Sequence, residues 1–209
     1  MMDMQVFLNE SAQQHHDHLC PRQVLGVRMG LYASELFGLK LPQTDKRLFA
    51  FVETDGCLID GITASTGCSS GHRTMRIIDY GKTAATFVDT VSRRAVRILP
   101  SPSSRTRALE YGLGAPDRWH AQLIAYQIMP TAELLTAQPV GLTVSLDAII
   151  SRHGLRVVCE CCGEDIINER QVLKAGQSLC QACAGNAYYG LVETSPSILM
   201  ALQHVAMES

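Results

Sequence analysis

Leu48-Phe49-Ala50-Phe51-Val52-Glu53 is a short apolar run closed by an acid, and Thr54-Asp55-Gly56-Cys57 follows it directly. An apolar run of that length, ending at an Asp-Gly turn, reads as a buried strand. On its downstream side, Leu58 to Ala64 has helical spacing, and Ser65-Thr66-Gly67-Cys68-Ser69-Ser70-Gly71-His72 reads as a loop. Arg73 to Tyr80, Ala84 to Thr90 and Ala95 to Leu99 then read as three strands, with Asp79 to Lys82 as a turn. On the upstream side, Val24, Leu25, Val27, Met29, Leu31, Leu36 and Phe37 mark a helix. Pro21 suits its first turn and Gly38 its end. Asp3 to about Gln14 forms a helix or capped turn. Beyond the strands, Pro100 to Arg105 reads as a cap or hinge, and Arg107 to Gly112 and Trp119 to Met129 read as helices. Leu134 to Ala137 is expected as a further helical turn and Val140 to Ser145 as a strand. The expected fold class is α+β, a mixed or antiparallel sheet with packed helices, plus a small C-terminal four-cysteine ribbon.

The chain has 209 residues, 46% of them hydrophobic and 18% charged, with a formal net charge of -2. That suffices for one full core and a small appendage. The weak charge gives no field for nucleic acid or an anionic membrane surface. No apolar run is long enough to span a bilayer. Residues Met1 to Glu10 lack a basic start and an apolar core, so no secretory signal is read and a cytoplasmic location is expected. Eight cysteines in such a chain are expected to be ligands, nucleophiles or core thiols before disulfides.

Cys159-x-x-Cys162 and Cys180-x-x-Cys183 are separated by seventeen residues, inside the window of a zinc ribbon. Each pair forms a tight knuckle aiming two sulfurs at one point, and two knuckles complete a tetrahedron. Ile166-Ile167 and Gln171-Val172-Leu173 suit a hairpin between the knuckles, with Ala175-Gly176 as a turn. Cys161 lies inside the first knuckle and is a bystander to a closed four-sulfur shell. Such a shell leaves no position for substrate, so this zinc is expected to be structural. From Leu155 to Gly190 there are three basic residues (Arg156, Arg170, Lys174) and four acidic ones (Glu160, Glu164, Asp165, Glu169), which argues against nucleic acid.

A second constellation lies upstream. It comprises His16-x-His18-x-Cys20-Pro21, Asp55-Gly56-Cys57-x-x-Asp60 and Gly67-Cys68-x-x-Gly71-His72. Imidazole and thiolate together suit zinc, iron or copper. Cys20 falls just before a helix N-terminus, a location that favours thiolate and bound anions. Each element also has a plainer reading. His15 can be a solvated loop residue, and Cys57 and Cys68 can be small core residues. Asp60 can be an exposed helix residue, Arg93 and Arg94 a solvated strand end, and Trp119, His120 and Tyr126 core or interface residues. Gly67 and Gly71 can simply serve a sharp turn.

Taken together, these motifs resemble the FmdE family, proteins related to the FmdE subunit of tungsten or molybdenum formylmethanofuran dehydrogenase. The likeness runs from about His16 to Cys183 and is densest in His16-Asp17-His18-Leu19-Cys20-Pro21, Gly56-Cys57-Leu58-Ile59-Asp60 and Thr66-Gly67-Cys68-Ser69-Ser70-Gly71. It implies an FmdE-like α+β core over 1–154, a zinc-ribbon domain over 155–190, a tail over 191–209, and a homodimer. It also implies a metal-binding or catalytic cleft at His18, Cys20, Cys57 and Cys68, with His16 and Asp60 as weaker members. Asp17 stands where the family usually has glycine, and His72 where it tends to have lysine; either change bears on the chemistry. The catalytic candidates are Cys20, His18 and Cys57. The ligands expected for a second transition metal are His16, His18, Cys20, Cys57 and Cys68. The alternative is a non-catalytic metal carrier or assembly factor for a molybdenum or tungsten oxidoreductase.

Overall fold

The computed structural model describes residues 4–14, 17–150 and 154–190. The expected tail over 191–209 lies outside the described residues. By compactness the chain divides into Met1–Leu146 and Asp147–Ser209.

In the first unit the order is α1 (Met4–Gln13), α2 (Pro21–Phe37), β1 (Leu48–Val52), α3 (Leu58–Thr66), β2 (Met75–Ile77), β3 (Ala85–Asp89), β4 (Ala95–Pro100), α4 (Ser104–Tyr111), α5 (Arg118–Ile128), α6 (Thr131–Leu134) and β5 (Leu135–Val140). A further helical turn, α7, covers Leu146–Ile150. The strands form one mixed sheet in the order β2-β1-β3-β4-β5. β1 runs parallel to β2 and antiparallel to β3, and the β3-β4 and β4-β5 pairs are antiparallel. This confirms the α+β class.

Alternation along the strands decides what the sheet covers. Leu48, Ala50 and Val52 of β1, Ala85 and Phe87 of β3, Val96 and Ile98 of β4, and Leu135 of β5 share one core cluster with Phe7, Leu8, Val24, Val27, Leu58 and Ile62 from the helices. The parallel β1-β2 pair needs a crossover. α3 supplies it and packs chiefly against α2 and α1, while α2 also lies against β3 and β4.

Two glycines set the α2–α3 contact. A Cβ on Gly26 would meet the Leu58 carbonyl oxygen and come within 2.9 Å of the Ile62 nitrogen. A Cβ on Gly61 would meet the Gln23 carbonyl oxygen and come within 2.8 Å of the Val27 nitrogen. The helices therefore touch backbone to backbone, which brings their N-terminal ends together. Gln23 ties in α1 by donating its side-chain N–H to the Ser11 carbonyl at 2.9 Å.

Two expectations in this unit need correction. Leu134 to Ala137 is not a helical turn beyond its first residue, and the strand there is Leu135–Val140 rather than Val140 to Ser145. The cause is tertiary. β5 pairs with β4 from Pro100↔Leu135 to Ala95↔Val140, and that ladder overrides a weak local preference. Pro139 is tolerated because β5 is an edge strand.

The second unit holds two small hairpins, β6 (Arg156–Val158) with β7 (Asp165–Ile167), and β8 (Val172–Lys174) with β9 (Gln177–Leu179). A single hairpin between the knuckles is therefore not what forms. Ile166 and Ile167 pair back onto Val157 and Arg156, across the Cys159–Cys162 knuckle, and not forward onto Val172. Ala175 and Gly176 make the β8-β9 turn, both with positive φ (51° and 82°), as a two-residue hairpin loop requires.

The glycine contact is testable. In an ordinary helix interior, Gly→Ala gains about 1 kcal/mol. Gly61→Ala should instead lose about 1–3 kcal/mol in urea unfolding, because the added methyl overpacks a backbone contact. Gly141→Ala, with open space around it, should stay within about 0.5 kcal/mol of the parent.

Candidate functional site

The ribbon sulfurs converge. The ligand atoms of Cys159, Cys162, Cys180 and Cys183 all lie within 4.8 Å of one another. The Cys162–Cys180 sulfur separation is 4.0 Å, close to the edge of roughly 3.8 Å that a tetrahedron with ~2.3 Å metal–sulfur bonds has. The Cys180 N–H donates to Cys159 Sγ at 3.3 Å, and the Cys183 N–H to Cys180 Sγ at 3.4 Å. Backbone donors from Cys162 and Cys180 hold the Cys159 thiol down at about 6, so it is largely thiolate at neutral pH. Hydrogen bonding to Cys180 and then Cys161 pushes the Cys183 thiol up. Four thiols packed this way cannot all ionise without a cation among them. The donor set and spacing therefore fit a bound metal. The apolar support is small, chiefly Cys159, Ile166 and Leu179, so a metal would carry much of this unit's stability.

The upstream constellation is organised by the glycine contact. Cys20 is the N-cap of α2 and Cys57 the N-cap of α3. Their sulfurs stand 2.9 Å apart. The Cys20 N–H donates to Gln23 Oε1 at 2.7 Å, which fixes the entry to α2. Both thiols are half-buried. Burial first, then hydrogen bonding to Cys20, pushes the Cys57 thiol up to about 11. The pair opens on a cleft of about 300 Å³ that Arg22, Leu25, Thr83, Arg105, Trp119, Gln122 and Tyr126 also line. The His18 ring stacks on Trp119, centroids 5.8 Å apart at 19°, so this imidazole lies beside a cleft-lining residue. Buried Arg28 anchors the helix that carries Trp119. Its guanidinium donates to the carbonyls of Tyr126 at 2.9 Å and Met129 at 2.7 Å, satisfying the C-terminal end of α5.

Other expected members lie elsewhere. Cys68 sits past the C-terminal end of α3, roughly 15 Å along the helix from Cys57 at 1.5 Å per residue. Its thiol is buried and donates to the Leu48 carbonyl at 3.4 Å, and burial pushes it up to about 11. His72 is exposed in the same distant loop. Asp60 is half-buried in the first turn of α3. His15 and His16 lie outside the described residues. Among the described residues, Cys20 and Cys57 have no third Cys, His or carboxylate ligand atom gathered within the ribbon's spacing.

Residues 15–136 match the family FmdE, described as that of the molybdenum formylmethanofuran dehydrogenase operon. The chain belongs to the FmdE family. The FmdE match spans α2, the Cys20–Cys57 pair and nearly the whole sheet. A solved structure, a tungsten formylmethanofuran dehydrogenase FmdE-like protein from Syntrophus aciditrophicus, shares the fold. Its TM-score is 0.52 at 21% identity, covering 87% of this chain and 92% of that one. A protein of Archaeoglobus fulgidus, named as a probable S-adenosyl-L-methionine-binding protein, is 36% identical over 90 residues. That segment is 42% of this chain and 25% of the relative, so the FmdE chain spans about a quarter of that relative's length. No helix among the described residues is long and apolar enough to cross a membrane.

Arg22, Arg105, Thr83 and Gln122 carry no motif that marks them as site residues, and Trp119 and Tyr126 read from sequence as core or interface residues. Tyr126 is indeed core, 2% exposed, yet it also lines the cleft. Arg22 has a local signal, being next to Pro21 in the first turn after Cys20. Arg105 has none, since only the path of the chain from β4 into α4 brings it to the cleft.

Thiol accessibility checks this arrangement. Iodoacetamide at neutral pH should alkylate exposed Cys161 early and leave Cys68 unmodified in the native chain. Because Cys68 keeps its proton until the pH nears about 11, its labelling should follow unfolding. Peptide mass mapping reads both sites.

Proposed function

We propose that this FmdE protein is a two-site metal protein related to the FmdE subunit of formylmethanofuran dehydrogenase. In this reading the ribbon cysteines 159, 162, 180 and 183 hold a structural zinc, and the cleft holds a second transition metal through Cys20 and Cys57, with His18 as the imidazole ligand. The observation that carries the cleft is the meeting of two helix N-terminal thiols, 2.9 Å apart, at the floor of a pocket. A tetrahedral edge of roughly 3.8 Å asks the two sulfurs to part by about 0.9 Å. His18 sits two residues before Cys20, and its ring would leave its stack on Trp119 to reach the metal. His16 and Cys68 are the weaker members, and the roughly 15 Å along α3 argues against Cys68.

Three ligands leave one coordination position open, and a metal there supplies Lewis-acid chemistry to a bound group. The residues around it have their own tasks. Trp119 and Tyr126 offer apolar faces that exclude water, Arg22 and Arg105 attract negative charge, and Gln122 and Thr83 offer hydrogen bonds. The same cleft in a metal carrier would load and release its ion to a molybdenum or tungsten oxidoreductase, the partner class its family relationship suggests. We take the chain to be a homodimer of the reducing cytoplasm, where its eight free thiols would persist.

Metal analysis of folded variants tests the two sites separately. Cys159→Ser should lose the ribbon ion and keep the cleft ion, and Cys20→Ser should do the reverse. Full metal content in Cys20→Ser would sink the cleft assignment. The pH dependence has a definite sign. A thiol pushed up to about 11 is protonated at neutral pH, so a cation must displace that proton. Occupancy of the cleft should therefore rise with pH and fall on acidification, with proton release on binding measurable by calorimetry in buffers of different ionisation enthalpy.

A further inference from the structure

The spacing of the cleft thiols admits a second chemistry that goes beyond metal binding. A disulfide needs a sulfur separation of about 2.05 Å. Cys20 and Cys57 stand at 2.9 Å, so closing that bond asks for a movement of about 0.9 Å, as small as the opening a metal would need. Both sulfurs belong to helix N-cap residues, so the first turns of α2 and α3 hold them facing each other. Both are half-buried and line an open pocket, so a small molecule can reach them.

The wall beside the thiols is an independent observation. Arg22 and Arg105 line the cleft, and among the described residues no Asp or Glu does. Arg105 is shared with two neighbouring depressions, one lined by Lys82 and the other by Arg118, and neither has an acidic lining residue among the described ones. A protein with a formal net charge of -2 thus concentrates positive charge around its thiol pair. Guanidinium groups bind carboxylates and phosphates in paired hydrogen bonds. We propose that Cys20 and Cys57 are a redox dithiol that reduces an anionic low-molecular-weight disulfide held by Arg22 and Arg105.

The exchange balances within the named reactants. The thiolate of one cysteine attacks a sulfur of the bound disulfide. The substrate S–S bond breaks, a mixed disulfide forms, and the first half leaves as a thiolate that takes up a proton. The second cysteine attacks the protein sulfur of the mixed disulfide, closing Cys20–Cys57 and releasing the second half as a thiol. Two electrons pass from the dithiol to the substrate, and the two cysteine protons leave on the two product thiols. The closed disulfide cannot serve as a pair of thiolate ligands, so the two chemistries of the cleft exclude each other in time.

Two disulfides that differ chiefly in charge test this on the full reduced chain. The dianion 3,3′-dithiodipropionate should close the Cys20–Cys57 bond about tenfold or more faster than the dication cystamine, since a cleft of one charge sign raises encounter rates by that order. Peptide mass mapping identifies the bond and separates it from any oxidation of the ribbon. The preference should shrink at high salt and in an Arg22→Gln, Arg105→Gln variant. If Cys20 and Cys57 stay reduced under the dianion, or if cystamine reacts as fast as the dianion in the unaltered chain, the proposal is overturned. Metal content measured on the same samples keeps the readings apart. A chain without a cleft ion can still close the disulfide, and a chain that binds the ion but resists oxidation refutes only the redox inference.

Discussion

The backbone contact between α2 and α3 is the constraint on which the rest of this molecule depends. Gly26 and Gly61 leave no room for a side chain, so each helix lies directly against the other's main chain. That closeness does two things at once. It lets α3, the crossover between the parallel strands β1 and β2, seat directly against α2. It also brings two helix N-termini to one point, each capped by a cysteine. Glycine lowers helix propensity at both positions, and the tertiary contact must offset that local cost.

The eight cysteines divide according to what their surroundings leave open. The ribbon's four thiols face one another, take backbone hydrogen bonds and complete a shell. A closed shell fits structural use, above all in a unit with so small an apolar core. Cys20 and Cys57 form only half a shell, and the missing half is a cleft. Cys68 is sealed in the core with a carbonyl partner, and Cys161 stands in solvent. Equal chemistry at the level of residue type therefore becomes four different roles.

The cleft combines elements from distant parts of the chain, and each is held independently. Gln23 fixes the entry to α2 and also grips α1. Arg28 closes the end of α5 and thereby steadies Trp119 and Tyr126. The Glu53–Arg97 pair, with contacts at 2.6 and 2.7 Å, ties the end of β1 to β4 just before the loop that carries Cys57. Such support from several sides keeps a reactive pair in place while leaving its pocket open.

The ribbon, the α2 helix, the β1 strand and the clustering of His and Cys residues were determined by the sequence alone. Their signals are local: Cys-x-x-Cys spacing, Pro and Gly at helix ends, and apolar periodicity act within a few residues of where they are read. Tertiary structure alone decided which of the upstream residues meet. Cys20 and Cys57 are thirty-seven positions apart and touch, whereas Cys57 and Cys68, near neighbours in sequence, are held at opposite ends of α3. It also decided that β5 begins at Leu135, that Ile166 pairs backward, and that Arg105 lines the cleft of the thiols. Each of these depends on a pairing partner or a helix crossing far away in the chain. Pattern and spacing report what a segment prefers, but only the packing of segments sets which side chains share a site.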